Sequence, residues 1–297
     1  MKKFAKMAVA AAIAGMAMGA QAELIIDDFN TGQGVAPGPI VDGDPTVIYS
    51  LTDTTANKSG RWNSVSGLPS SILGGERDMF ISKLGPCLLP VTCDVPGTPP
   101  AASNLNQVKT FVENGLLQYG TDPGVWGRSI IKWDGNQSAI AGTGSEAAFL
   151  ATNALGLNAN LSAAGSAFLL NVKEADIGFT FALTVMTTAT DYSTLVLFSE
   201  EHENYVPPST PIQFADFIGA TGWVGVPGIS AFRISSGNVD FSSVDALIAT
   251  INFGGATTKI DLQIDQASVV PEPGTLALVG MALLGVGVAR RRKSAAK

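Results

Sequence analysis

Phe179, Phe181, Leu183 and Val185 alternate with Thr180, Ala182, Thr184 and Met186. A period of two with one strongly apolar face specifies a half-buried β-strand. The same pattern recurs along the chain. Glu23–Phe29, Thr46–Leu51, Val108–Val112, Leu116–Tyr119, Ala167–Val172, Ser193–Phe198, Ala231–Ile234, Leu247–Phe253 and Lys259–Val270 are short β-branched or aromatic runs. So are Ser129–Trp133, Ile212–Phe217 and the end of Ile72–Ser82, and Gly- and Pro-rich turns separate the runs. Asn114-Gly115 between two of them is a hairpin signal. In Ser129–Trp133, Ser129, Ile131 and Trp133 share one face, and Ile130 and Lys132 take the other. Between residues 23 and 270 no helical period is sustained; Asp53–Ser71 reads as polar turns and Ala139–Gly165 as loop with one short strand. The expected class is all-β: an antiparallel β-sandwich in which two packed sheets bury these strands.

Gly85–Ser103 interrupts the pattern with Pro86, Pro90, Pro96, Pro99 and Pro100. Proline cannot donate to a sheet ladder, so this segment is expected as a surface insertion. It also holds the only two cysteines, Cys87 and Cys93, whose simplest state in an exported protein is a disulfide.

Both ends of the chain read as addresses. Met1–Lys6 carries three lysines, Met7–Gly19 is an unbroken run of apolar and small residues, and Ala20-Gln21-Ala22 is an A-x-A cleavage site. Residues 1–22 are therefore expected to be a signal peptide handled by the secretion translocon, a retained N-terminal anchor being the alternative. At the other end, Pro271-Glu272-Pro273 precedes an uncharged run, Gly274–Ala289, and the block Arg290, Arg291, Arg292, Lys293. As a helix the run would be about 24 Å long against a hydrocarbon core of about 30 Å, a short transmembrane helix assisted by arginine snorkelling. A buried globular helix is the other reading, and four consecutive cations argue against it.

This three-part tail, residues 271–297, resembles the PEP-CTERM sorting signal of exported bacterial proteins. The resemblance implies recognition and removal by an exosortase, a membrane-embedded cysteine transpeptidase or protease. It makes this chain a substrate of that enzyme, anchored transiently in the inner membrane and then delivered to the envelope or the extracellular matrix. The body's own motifs are Ile26–Phe29, Gly74–Asp78, Trp133–Gly135 and Asp261–Asp265. Their layout is similar to that of galactose-binding-like β-sandwiches found in exported proteins of this kind. That resemblance implies a jelly-roll fold, carbohydrate binding and, in some members, a structural calcium near the first and last strands. Asp27, Asp28 and Asp265 are the corresponding acids here, and oxygen ligands are what calcium selects. The bland alternative is that all three are solvent-facing strand residues.

Charge narrows the functional classes. Residues 23–270 keep 10 of the chain's 18 basic residues and 24 of its 25 acidic ones, a net charge of about −14. Nucleic acid is excluded as a partner because phosphate contacts need lysine and arginine. Catalytic signatures are sparse. The single histidine, His202, lies in the charged run Glu200–Glu203; it reads as loop surface, with a general base as the alternative. No nucleophile elbow, P-loop or dinucleotide fingerprint is present. Trp126 and Trp223 sit among glycines and are the candidates for stacking on a sugar, against simple packing over the fold; Trp133 reads as core. The expectation is a non-enzymatic carbohydrate-binding or matrix protein. A secreted enzyme acting on polysaccharide, a glycoside hydrolase or lyase, is the alternative.

Overall fold

The computed structural model describes residues 23–33, 48–50, 60–84, 108–122, 126–136, 141–151, 155–175, 178, 180–198, 211–226, 229–255, 257 and 259–271. Among them the strands in chain order are β1 (Leu24–Asp27), β2 (Ile48–Ser50), β3 (Gly60–Ser66), β4 (Glu76–Lys83), β5 (Val108–Glu113), β6 (Leu116–Thr121), β7 (Gly127–Trp133) and β8 (Ala141–Gly144). There follow helix α1 (Glu146–Ala151), β9 (Ala167–Ala175), β10 (Thr180–Met186), β11 (Tyr192–Phe198), β12 (Ile212–Gln213), β13 (Gly222–Val226), β14 (Ile229–Ser236), β15 (Ala246–Ile251) and β16 (Asp261–Val270).

These form two antiparallel sheets. One has seven strands in the order β12-β9-β16-β6-β5-β2, with β1 also on β16; the other has nine, β13-β14-β11-β10-β15-β7-β4-β3-β8. β16 organises the smaller sheet. Between Leu262 and Val270 it pairs with β9 on one side, and on the other β6 takes Asp261–Ile264 while β1 takes Ala267–Val269. The first and last strands of the body thus lie side by side, as alternation alone could not have told.

Inward positions of both sheets meet in one apolar core. Val112, Leu117, Phe168, Leu262 and Val269 of the smaller sheet pack in the same cluster as Met79, Ile131, Leu183, Leu195 and Leu247 of the larger. Each fully buried side chain of this kind stabilises the fold by about 1.5–3 kcal/mol. The run Phe181, Leu183, Val185 faces inward as its period requires. The Asn114-Gly115 hairpin forms with both residues at positive φ, 54° and 77°, between paired Glu113 and Leu116. Two residues of left-handed backbone match the twist of the flanking strands.

Three local expectations change. β3 lies within the stretch read as polar turns, because its outward Trp62 packs on Phe80 while the strand pairs with both β4 and β8. Helix α1 interrupts the stretch read as loop, and its buried Phe149 stacks on Phe80 with centroids 5.2 Å apart. The strand expected over Ile212–Phe217 ends at Gln213. There the Asp216 carboxylate accepts from the Gln213 amide at 3.0 Å, a capping box that turns Phe214–Phe217 into a 3-10 turn. No helix among the described residues is long and apolar enough to cross a membrane.

Candidate functional site

Polar residues concentrate on the two sides of β4. Strand alternation sends Arg77, Met79 and Ile81 into the shared core and Glu76, Asp78 and Phe80 out of the opposite face.

Arg77 is fully buried and paired with the equally buried Asp27, its Nη1 donating to both carboxylate oxygens at 2.8 and 3.0 Å. Its Nε donates to Gln33 Oε1 at 2.7 Å, its Nη2 to the Thr31 carbonyl at 2.5 Å, and its guanidinium lies over the Phe29 ring. Asp27 also accepts from Trp133 Nε1 at 2.8 Å and from the Phe29 amide at 2.9 Å. Burial pushes the Asp27 carboxyl up, and Arg77, Trp133 and the Phe29 amide pull against that rise. Gln33 completes the lattice. Its Nε2 donates to Asn63 Oδ1 at 2.8 Å, and its backbone exchanges hydrogen bonds with Val112 of the smaller sheet. Residues 27–33 are therefore stitched to both sheets.

On the outward face, Lys132 pairs with Asp78 at 3.4 Å and Asp134 at 3.0 Å and lies over the Phe149 ring. Glu76 sits beside them with 1% of its surface exposed, and neither of its carboxylate oxygens makes a hydrogen bond. Ser64, which lies next to it, donates to Asp78. Burial raises the Glu76 carboxyl to about 7; the Asp78 and Asp134 charges add to the rise, and Lys132 and the nearby Ser64 hydroxyl oppose it. Burial likewise raises Asp78.

The third feature is at the far edge of the larger sheet. Trp223, on β13, is 72% exposed, with Phe232 edge-on at 5.5 Å and Phe198 tilted at 5.8 Å. A side chain placed at Gly225, two residues along the same face, would meet nothing within 4 Å. The outward positions of β10, β11, β13 and β14 carry aromatic, aliphatic and hydroxyl side chains and no charge. Trp126 is half-buried at the approach to β7, where its carbonyl accepts from the Leu84 amide.

At the end of β16, the Val270 carbonyl accepts from the Ser166 amide at 3.1 Å, and Pro271, half-buried, follows directly. Comparison with known families matches residues 269–293, overlapping the last two residues of this strand. The chain carries a PEP-CTERM protein-sorting motif. The motif points to an exported protein that an exosortase sorts, anchored transiently at the membrane before cleavage. No curated protein and no solved structure matches the chain. Of the PEP-CTERM residues, Pro271 is described; Glu272, Pro273 and Arg290–Arg292 lie outside the described residues, as do Ala20, Ala22, Cys87, Cys93 and His202.

Ahead of the PEP-CTERM motif, the acids expected to hold calcium are engaged otherwise. Asp27 is filled by Arg77, Trp133 and the Phe29 amide. Asp28 accepts from the Ser71 hydroxyl and the Asn30 amide, which hold its carboxyl below the usual range although burial opposes them. Asp265 accepts from Asn171 Nδ2 at 2.8 Å and pairs with Lys173 at 3.1 Å. Among the described residues no group of three His, Cys, Asp or Glu side chains is arranged to hold a metal. Arg77 was missed in sequence because its partner lies 50 residues away, beyond any local spacing. The signal for it lies in three short motifs: Ile26–Phe29, Gly74–Asp78 and Trp133–Gly135 contribute Asp27, Arg77 and Trp133 to one network.

Proposed function

We propose that this PEP-CTERM protein is a non-enzymatic β-sandwich that, once outside the cell, binds neutral polysaccharide on the Trp223 ledge. The observation that carries this reading is the exposure of Trp223, with Phe198 and Phe232 against it and open space at Gly225. Large aromatic rings find cover unless a partner supplies it, and a sugar's apolar C–H face is such a partner. The uncharged surroundings, on a body that is strongly acidic, favour a neutral chain over a polyanion or polycation. The shared two-sheet core supports the sandwich reading. The structural tie between Asp27 and Arg77 accounts for the motifs without a ligand.

The enzyme reading has one observation in its favour, the raised carboxyl of Glu76 near Asp78 and Asp134. A glycosidase needs two carboxylates about 5–10 Å apart across a bond that substrate can reach. Here all three carboxylates are buried, and Lys132, which lies over the Phe149 ring, neutralises part of their charge, which supports a structural role.

Affinity electrophoresis in gels containing neutral or acidic polysaccharides tests the ledge. The native body is expected to be retarded by at least one neutral polymer. Trp223→Ala is expected to weaken retardation at least about tenfold, about 1.4 kcal/mol, with the melting temperature unmoved. Migration unchanged in every neutral polymer, or full retardation of the variant, would dismiss it. Processing is tested by intact mass, with a mature C-terminus expected close to Val270; a mass that retains residues 290–297 would reject it.

A further inference from the structure

We propose that, while the tail holds the protein, the end of the body bearing Glu23, Ser166 and Val270 rests against the lipid headgroups. The opposite end, near Glu174 and Lys259, then points away from the membrane. The inference rests on the sorting reading above and adds an orientation and a contact surface to it.

Three observations carry it. First, both addresses leave the fold at one place. β1 runs antiparallel to β16 with Leu24 opposite Val269, and Gln266 Nε2 donates to the Glu23 carboxylate at 2.9 Å. A signal peptide preceding Glu23 and a tail following Val270 therefore start side by side. They can occupy one membrane without distorting the sheet.

Second, the exit is rigid. Val270 is paired with Ala167 on β9, and its carbonyl is held by the Ser166 amide. Gly165 lies so close that a Cβ there would stand 2.2 Å from the Val270 carbonyl oxygen. The strand cannot swing at its last residue as a loose linker would.

Third, the tether is short relative to the body. From Val270 to Gly274, where the uncharged run begins, is four peptide steps, at most about 14 Å. The headgroup zone alone is about 5–8 Å deep on each side of the hydrocarbon. From Val270 back to Gln263, opposite Glu174, is seven residues of strand, about 23 Å. The exit end thus lies within reach of the headgroups and the far end does not. The exit end also presents an uncovered apolar side chain. Phe214 donates its amide to the Ser166 carbonyl, and Ile218, just past this 3-10 turn, is 61% exposed.

The test uses the full chain, tail retained, reconstituted into vesicles of phosphatidylethanolamine and phosphatidylglycerol with a headgroup nitroxide lipid. A fluorophore is placed on Ile218→Cys or on Glu174→Cys, both exposed positions, in a chain whose Cys87 and Cys93 are serine. Quenching at position 218 is expected to exceed that at 174 at least twofold. Equal quenching, or stronger quenching at 174, on vesicles that float with the protein would overturn the orientation and leave the sorting reading intact. Protein that fails to float would overturn both. Hydrogen exchange on the unmodified chain gives a second readout that needs no substitution. Relative to a body ending at Val270, the vesicle-bound chain is expected to gain protection at 211–221 and not at 172–175. Protection confined to 172–175 or uniform along the chain would also overturn the orientation.

Discussion

Arg77 points into the shared core from β4, while its neighbours Glu76 and Asp78 leave the other side of the same strand. Both sides are buried and both hold charge, yet they are balanced differently. Inside, one guanidinium meets one carboxylate, and the remaining hydrogen-bonding capacity goes to neutral groups on Gln33, Thr31 and Trp133. Outside, three carboxylates share one ammonium, and Glu76 is left without a hydrogen bond. Burial cost is met in the first case by matched partners and not met in the second. The inner set can be a tie between chain segments, whereas the outer set makes stability depend on pH.

The largest effect is expected on the inner side. Arg77→Met leaves Asp27 buried without its cation and should lower unfolding free energy by about 3–5 kcal/mol in urea denaturation. Adding Asp27→Asn should restore part of the loss, because no lone charge then remains buried. A cost below about 1 kcal/mol for Arg77→Met would remove the distinction between the two faces. Trp133→Phe is the next test. It keeps an aromatic ring in the core and deletes only the Nε1 donor to Asp27, for an expected loss of about 1.5–3 kcal/mol by the same measurement. If the variant were as stable as the parent, the indole would be packing and nothing more.

How far the sequence could be read follows the range of each interaction. Period-two runs located most strands, and Asn114-Gly115 located a hairpin, because both signals are local. Trp133 was legible as core for the same reason. Asp27 was a calcium candidate because the resemblance places such acids where the first and last strands meet. What occupies it, Arg77 and Trp133, lies 50 and 106 residues away in sequence. Trp223 sits among glycines in sequence, and the pairing of β13 with β14, Trp223 opposite Phe232, is what places its exposed ring on a sheet edge. The Glu76 cluster was invisible because it is made by three strands, β3, β4 and β7, with Asp134 just past the last and α1 packed over it.

The smallest expected effect has the opposite sign and belongs to the outer side. Folded Glu76 titrates at about 7 against an ordinary 4.5, because burial and the Asp78 and Asp134 charges oppose its ionisation. Between those pH values the unfolded chain loses the proton that the folded chain keeps. Stability from this group is therefore full below pH 4.5, falls as pH rises to about 7, and is level above it. Glu76→Gln removes the carboxyl that must ionise while keeping its shape. It should leave stability near that of the parent at pH 4 and raise it by about 1–2 kcal/mol at pH 8, a gain reduced from the full shift by screening. Melting curves of both proteins from pH 4 to 8 read this directly, with a difference of about 2–8 °C at the upper end. A parent whose melting temperature rose through this window relative to Glu76→Gln would mean that Lys132 serves Glu76 as well as it does Asp78 and Asp134. The outer side of β4 would then be as well matched as the inner.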